Sequence, residues 1–189
     1  MGEDGDAAAL MARYCEGDKA AFATLYRLAS PRLLAYLKGM LGDRAAAEDV
    51  LQQTFIKIHE ARAAYVRDAD PIPWFYTIAH RTCLDELRRR KRARVQITKD
   101  GEVADVASEP TTPDPSGTER YSVTLAALEE LPENQREALL LTKVQGRTHA
   151  EAAAILGTSV GAIKLRAHRA YEALRAKFRS RKVEGAEHE

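Results

Sequence analysis

The chain has 189 residues, with 29 Lys+Arg against 28 Asp+Glu, so its formal net charge is +1. Charged residues make up 30% and aromatics 6%, and alanine is abundant, a composition that favours helices over sheets. Eleven glycines and seven prolines are too few and too clustered for a turn-rich β-sandwich, and no run approaches the roughly 18 apolar residues of a transmembrane helix. The opening MGEDGDAAAL lacks the basic start of a signal peptide and the Ser/Thr of a myristoylation motif. Cys15 and Cys83 lie far apart and in no zinc-ligand spacing. The expectation is a reduced cytoplasmic protein with no disulfide, no metal and no cofactor.

In chain order, Asp18 can cap a helix carrying Phe22, Leu25, Tyr26 and Leu28. Pro31 suits the first turn of the next, with Leu33, Leu34 and Leu37 on one face and Gly42 just past its end. Asp43 caps a long helix with Ala47, Val50, Leu51, Phe55, Ile58 and Ala61 at helical spacing. Its other face presents Asp49, Gln52, Gln53, Ile56 and Glu60. After the loop YVRDADPIP, Pro73 starts a helix with Phe75, Ile78, Ala79, Cys83 and Leu87 inward. Thr77, His80, Arg81 and Arg88 are expected on its other side, leading into the run RRRKR.

The near-zero net charge conceals segregation. Residues 80–94 hold seven Lys/Arg against Asp85 and Glu86, a balance of +5. Residues 98–120 hold six acids against Lys99 and Arg120, a balance of −4. Residues 159–182 hold eight Lys/Arg against Glu172, a balance of +7. One such block is commonly a solvated face, but two at the ends of helical units point to a polyanion partner. The acidic stretch contains Pro110, Pro113, Pro115 and Gly117 and few large apolar groups, so it cannot offset its ordering entropy by burial. It reads as a linker.

Beyond it, Ser122 opens a helix with Val123, Ala127, Leu128 and Leu131, stopped by Pro132. A helix from Glu133 is expected to bury Leu139, Leu140 and Val144 and to break at Gly146. Thr148 with Glu151 forms a capping box for a short helix with Ala152, Ile155 and Leu156. Gly157 supplies a turn, and Thr158 or Ser159 caps a longer helix with Val160, Ile163, Ala167, Ala170 and Leu174 on one face. A short helix, a glycine turn and a longer basic helix make the helix-turn-helix pattern. The residues expected outward are Ser159, Gly161, Ala162, Lys164, Leu165, Arg166, His168 and Arg169. Gly161 and Ala162 permit close approach to DNA, while Lys164, His168 and Arg169 can reach guanine O6/N7 or a phosphate.

The stretches AEDVLQQTFIKIHEAR, PIPWFYTIAHRTCLDELRRRKR and LPENQREALLL, followed by the helix-turn-helix, together resemble an extracytoplasmic-function (ECF) sigma factor over roughly residues 10–180. The resemblance implies an all-α chain of two small domains. A region 2-like bundle would span 10–94, a linker 95–119, a region 4-like helix-turn-helix 120–182 and a frayed tail 183–189. It implies that the helix bearing the Asp-x-x-Gln-x-x-Phe pattern, Asp49-Gln52-Phe55, docks on the coiled coil of the largest RNA polymerase subunit through Asp49, Gln52, Gln53 and Ile56. It implies that Tyr65, Arg67, Trp74, Thr77, His80, Arg81 and Arg88 contact the −10 element, with loop 65–72 holding a flipped base. It implies that the eight outward residues of the basic helix read the −35 element, and that an anti-sigma factor, often membrane-bound, holds the chain inactive.

Two positions depart from the family pattern: His80-Arg81 replaces an Asn-bearing run, and Leu165 stands where Ser is common. Phosphate-binding loops and nucleophile elbows are missing, which argues against catalysis. A helix-turn-helix regulator with a sensory domain and an RNA-binding adaptor are the competing classes. The first is disfavoured because the N-terminal half lacks βα periodicity.

Overall fold

The computed structural model describes residues 4–67, 69–99 and 118–184. It divides into two compact units, residues 1–109 and 110–189. The described residues are helical, without a strand.

Among the described residues, the first unit holds four α-helices, α1 (Asp4–Cys15), α2 (Lys19–Leu41), α3 (Arg44–Ala61) and α4 (Pro71–Lys99), and a 3-10 turn over Arg62–Ala64. Aspartates set the starts of α2 and α3. The Asp18 carboxylate accepts from the Ala20 and Ala21 amides at 2.8 and 3.1 Å, and Asp43 accepts from Ala45 at 3.0 Å. These satisfy amides that have no partner inside the helix. Gly42 in the left-handed region ends α2, its N–H bonded to the Lys38 carbonyl at 2.9 Å.

Pro31 does not start a helix; it lies inside α2. The proline forfeits one backbone bond on an exposed face, and the buried Leu25, Ala29, Leu33 and Leu37 on both sides hold the helix together. Helix α1 was not foreseen from the sequence, yet Ala7, Leu10, Met11 and Tyr14 bury one face of it against α2 and α4. Tyr36, Met40, Ile58, Phe75 and Tyr76 are among the fully buried side chains of the unit. Each large apolar group so buried contributes roughly 1.5–3 kcal/mol relative to exposure.

Helix α4 begins at Pro71, two residues before the expected Pro73, because Asp70 accepts the Ile72 amide at 2.9 Å. Ile78 and Leu87 are half-buried rather than inward. The helix also runs to Lys99, into the segment expected to be linker, whose acidic residues 100–117 lie outside the described residues.

The second unit holds α5 (Thr118–Glu129), α6 (Glu133–Leu139), a π-helical turn (Leu140–Val144), α7 (His149–Leu156) and α8 (Val160–Glu184). The Gln145 amide bonds the Leu140 carbonyl at 2.9 Å, five residues back. This widened turn rotates the chain out of the α-helical register. It explains a wrong expectation: Leu139, Leu140 and Leu141 are buried, but Val144 is exposed. On α8, Ile163, Ala167 and Ala170 are buried as expected, Val160 is exposed and Leu174 half-buried.

Candidate nucleic-acid interface

The turn between α7 and α8 is built by three local devices. Thr148 Oγ1 accepts the Glu151 amide at 3.1 Å while Glu151 accepts the Thr148 amide at 2.7 Å, completing the capping box. Gly157 takes φ 61°, and the Thr158 amide then bonds the Ala153 carbonyl at 3.0 Å. A side chain at Gly157 would meet the strain of the left-handed region. Ser159, not Thr158, caps α8 by accepting the Ala162 amide at 3.1 Å.

These devices aim one face of α8 outward. Gly161, Lys164, Leu165, His168 and Arg169 are exposed, as is Ser159, and Ala162 is half-buried. Arg166 departs from its expected place among the readers. It is half-buried, and its guanidinium donates at 3.3 Å to Glu137 of α6. Glu137 is only 8% exposed, and burial pushes its carboxyl up to about 7 despite Arg166. A charge in that setting holds its partner close, because releasing the guanidinium takes an ion-pair partner from a buried carboxylate. Nothing in the periodicity of either helix signals this pairing, which joins residues 29 apart in sequence.

In the first unit, α3 carries Asp49, Gln52, Gln53 and Ile56 on one exposed strip, opposite the buried Val50, Leu51, Phe55 and Ile58. A groove of about 480 Å³ runs beside that strip, between α3 and α4, lined by Asp49, Gln53 and Lys57 on one side and Asp85, Glu86 and Arg89 on the other. Arg89 grips Glu86 with two bonds of 2.8 and 2.9 Å and holds that carboxyl below the usual range.

The residues expected at the −10 element do not all share one surface. Arg67, Arg81 and Arg88 are exposed; Arg67 lies 4.0 Å from Glu16, and Arg88 3.4 Å from Asp85. Trp74 is half-buried, its ring 5.7 Å from that of Tyr65 and 5.8 Å from that of Phe75. Thr77 is half-buried, its hydroxyl donating to the Pro73 carbonyl at 3.0 Å. Tyr65 is buried instead of lining an open loop, and its hydroxyl donates to the Ala69 carbonyl. His80 is the clearest correction. It was expected on the outer side of α4, but it is 6% exposed and hydrogen-bonded to Tyr36 of α2 at 3.0 Å. The crossing of α2 and α4 closes over that position. The same unit matches the sigma-70 region 2 family over residues 25–93, and the second unit matches the sigma-70 region 4 family over 123–174.

The chain belongs to the ECF sigma factors. It is 36% identical over 165 residues to the RNA polymerase sigma factor CarQ of Myxococcus xanthus, covering 87% of this chain and 93% of that one. It is 33% identical over 172 residues to the ECF sigma factor SigF of Caulobacter vibrioides, covering 90% and 93%. Among solved structures it resembles the sigma factor RpoE in complex with the anti-sigma factor NepR from Bartonella quintana, with a TM-score of 0.71, 28% identity and coverage of 84% and 96%. It also shares the fold of CnrH, solved with the cytosolic domain of CnrY, at a TM-score of 0.71, 24% identity and coverage of 93% and 98%. As an ECF sigma factor, the protein directs bacterial RNA polymerase to promoters. Among the described residues, no helix is long and apolar enough to cross a membrane.

Proposed function

We propose that this sigma factor divides its work among three surfaces. Asp49, Gln52, Gln53 and Ile56 on α3 bind the core polymerase. Arg67, Trp74, Thr77, Arg81 and Arg88 meet the −10 element, and the N-terminal end of α8 enters the major groove of the −35 element. Support comes chiefly from the outward strip of α8, where Lys164, His168 and Arg169 stand exposed around a close-approach glycine. An α-helix fits the major groove, and side chains on such a strip reach base edges. Tyr65 and His80 enter this reading as core groups that shape the −10 surface from beneath. Opening the duplex then relies on capture of unstacked bases by Trp74 and the basic face of α4, with no catalytic step.

The protein works in the cytoplasm, on the nucleoid when bound to polymerase, and serves a signal-responsive set of genes. An anti-sigma factor holds it between signals, as NepR is bound to RpoE in the solved relative. Reconstitution with core polymerase on genomic DNA, followed by transcript mapping, tests the reading. Initiation at a defined set of promoters is expected. DNA binding without stimulation of the core enzyme would sink it.

A further inference from the structure

The outward strip of α8 has an apolar centre. Ile163, Ala167 and Ala170 face the core. At 100° per residue, the opposite side of the helix is formed by Gly161, Leu165 and His168, with Lys164 and Arg169 at its margins. Leu165 is 49% exposed at the middle of that face. Gly161, one turn earlier, leaves the helix surface open beside it: a Cβ there would meet only Ser159 Oγ, at 4.0 Å. The face therefore presents a four-carbon apolar group flanked by cations, with room for a groove floor to come close.

A leucine side chain can neither donate nor accept a hydrogen bond. Against the major-groove edge of guanine, cytosine or adenine it would strip water from N7, O6, N4 or N6 and offer nothing in return. Among the four bases, thymine alone presents an alkyl group, its 5-methyl, in the major groove. We propose that Leu165 reads the 5-methyl group of a thymine in the −35 element, making this residue a specificity determinant for one A·T pair. The inference rests on α8 being the −35 reader.

The probe is a promoter fragment mapped with the reconstituted holoenzyme, in which each −35 thymine is replaced singly by deoxyuridine. That change deletes the methyl group and leaves base pairing intact. For wild-type holoenzyme, one replacement should weaken binding about fourfold, the loss of one buried methyl contact. In Leu165→Ser holoenzyme that same replacement should have no effect. A wild-type series that is flat at every thymine, or a methyl effect that persists in Leu165→Ser, overturns the inference. The Lys164→Ala/Arg169→Ala double variant separates the two levels. If it weakens binding while the deoxyuridine series is flat, only the Leu165 assignment falls. If it too is without effect, α8 is not on the DNA and both readings fall.

Discussion

The imidazole of His80 and the hydroxyl of Tyr36 share a 3.0 Å hydrogen bond between α4 and α2, inside the N-terminal bundle. Burial, together with the nearby Arg81 and Arg88, pushes the histidine from 6.5 down to about 4. A depressed base means the folded state refuses a proton that the unfolded state accepts. Stability from this group is thus complete above about pH 6.5 and is lost as the pH falls toward 4. A shift of this size is worth about 3 kcal/mol. Trp74 is the only tryptophan and lies in this unit, so its fluorescence can follow urea unfolding across that window. His80→Gln should remove most of the pH dependence between those limits. A wild-type slope retained in the variant would assign the acid sensitivity elsewhere.

Glu137 predicts the opposite sign in the second unit. Its carboxyl is raised from 4.5 to about 7, chiefly by burial. The folded state therefore holds a proton that the unfolded chain has already released. The stability it contributes is full below about pH 4.5 and lost as the pH rises through 7. Hydrogen exchange of the α6 and α8 amides should show the second unit weakening from pH 5 to pH 8, and Glu137→Gln should flatten that trend. The first unit should show no such loss over the same range, which makes it an internal control.

The sequence revealed those parts of the fold that follow from local chemistry. Asp18, Asp43, Thr148 and Glu151 cap the helices that their types and spacings foretold, and Gly157 makes the expected turn. Two of the residues that misled are governed by partners distant in sequence. His80 has the polarity of a surface group, and a hydrogen bond to Tyr36, 44 residues earlier, helps to make its burial tolerable. Arg166 has the look of a DNA contact until Glu137 is seen beside it. Val144 fits a helical period, but it is the last residue of the π-helical turn that breaks that period. The α3 strip was legible because Asp49, Gln52, Gln53 and Ile56 fall at helical spacing opposite the apolar positions, and all four are exposed.

That strip supplies a third prediction. Asp49 and Gln52 are exposed, and their replacement removes no buried contact. Surface changes of this kind ordinarily alter stability by no more than about 0.5 kcal/mol. Asp49→Ala with Gln52→Ala should leave the unfolding curve in place and weaken binding to core polymerase at least tenfold. Fluorescence anisotropy of labelled protein titrated with core enzyme reads the second quantity. Unchanged affinity would remove α3 from the polymerase interface.

The capping box allows a structural test of the helix-turn-helix independent of any DNA contact. Thr148→Ala removes the oxygen that accepts the Glu151 amide and should destabilise the second unit by about 1 kcal/mol. Thr148→Ser keeps that oxygen and should restore the loss. Promoter binding by holoenzyme should follow stability in both variants, since neither side chain is on the α8 face.

Lys164, Arg166 and Arg169 lie within two turns of one helix, yet they should behave differently. Lys164 and Arg169 are exposed, whereas Arg166 is drawn back to Glu137. A cation that reads a base should lose roughly 1–3 kcal/mol of binding when cut to Ala, and the loss should disappear when the matching base pair is changed. A cation on a phosphate should instead weaken every sequence alike and reduce the salt slope by about 1. Arg166→Ala should do neither directly. It removes the Arg166 ion pair from the buried Glu137, so the second unit should unfold more readily above pH 7, while its salt slope on promoter DNA stays that of the wild type. Holoenzyme titrations at several salt concentrations, run beside hydrogen exchange on the free variants, distinguish the three residues. A reduced salt slope in Arg166→Ala would show that the guanidinium leaves Glu137 for the DNA backbone on binding.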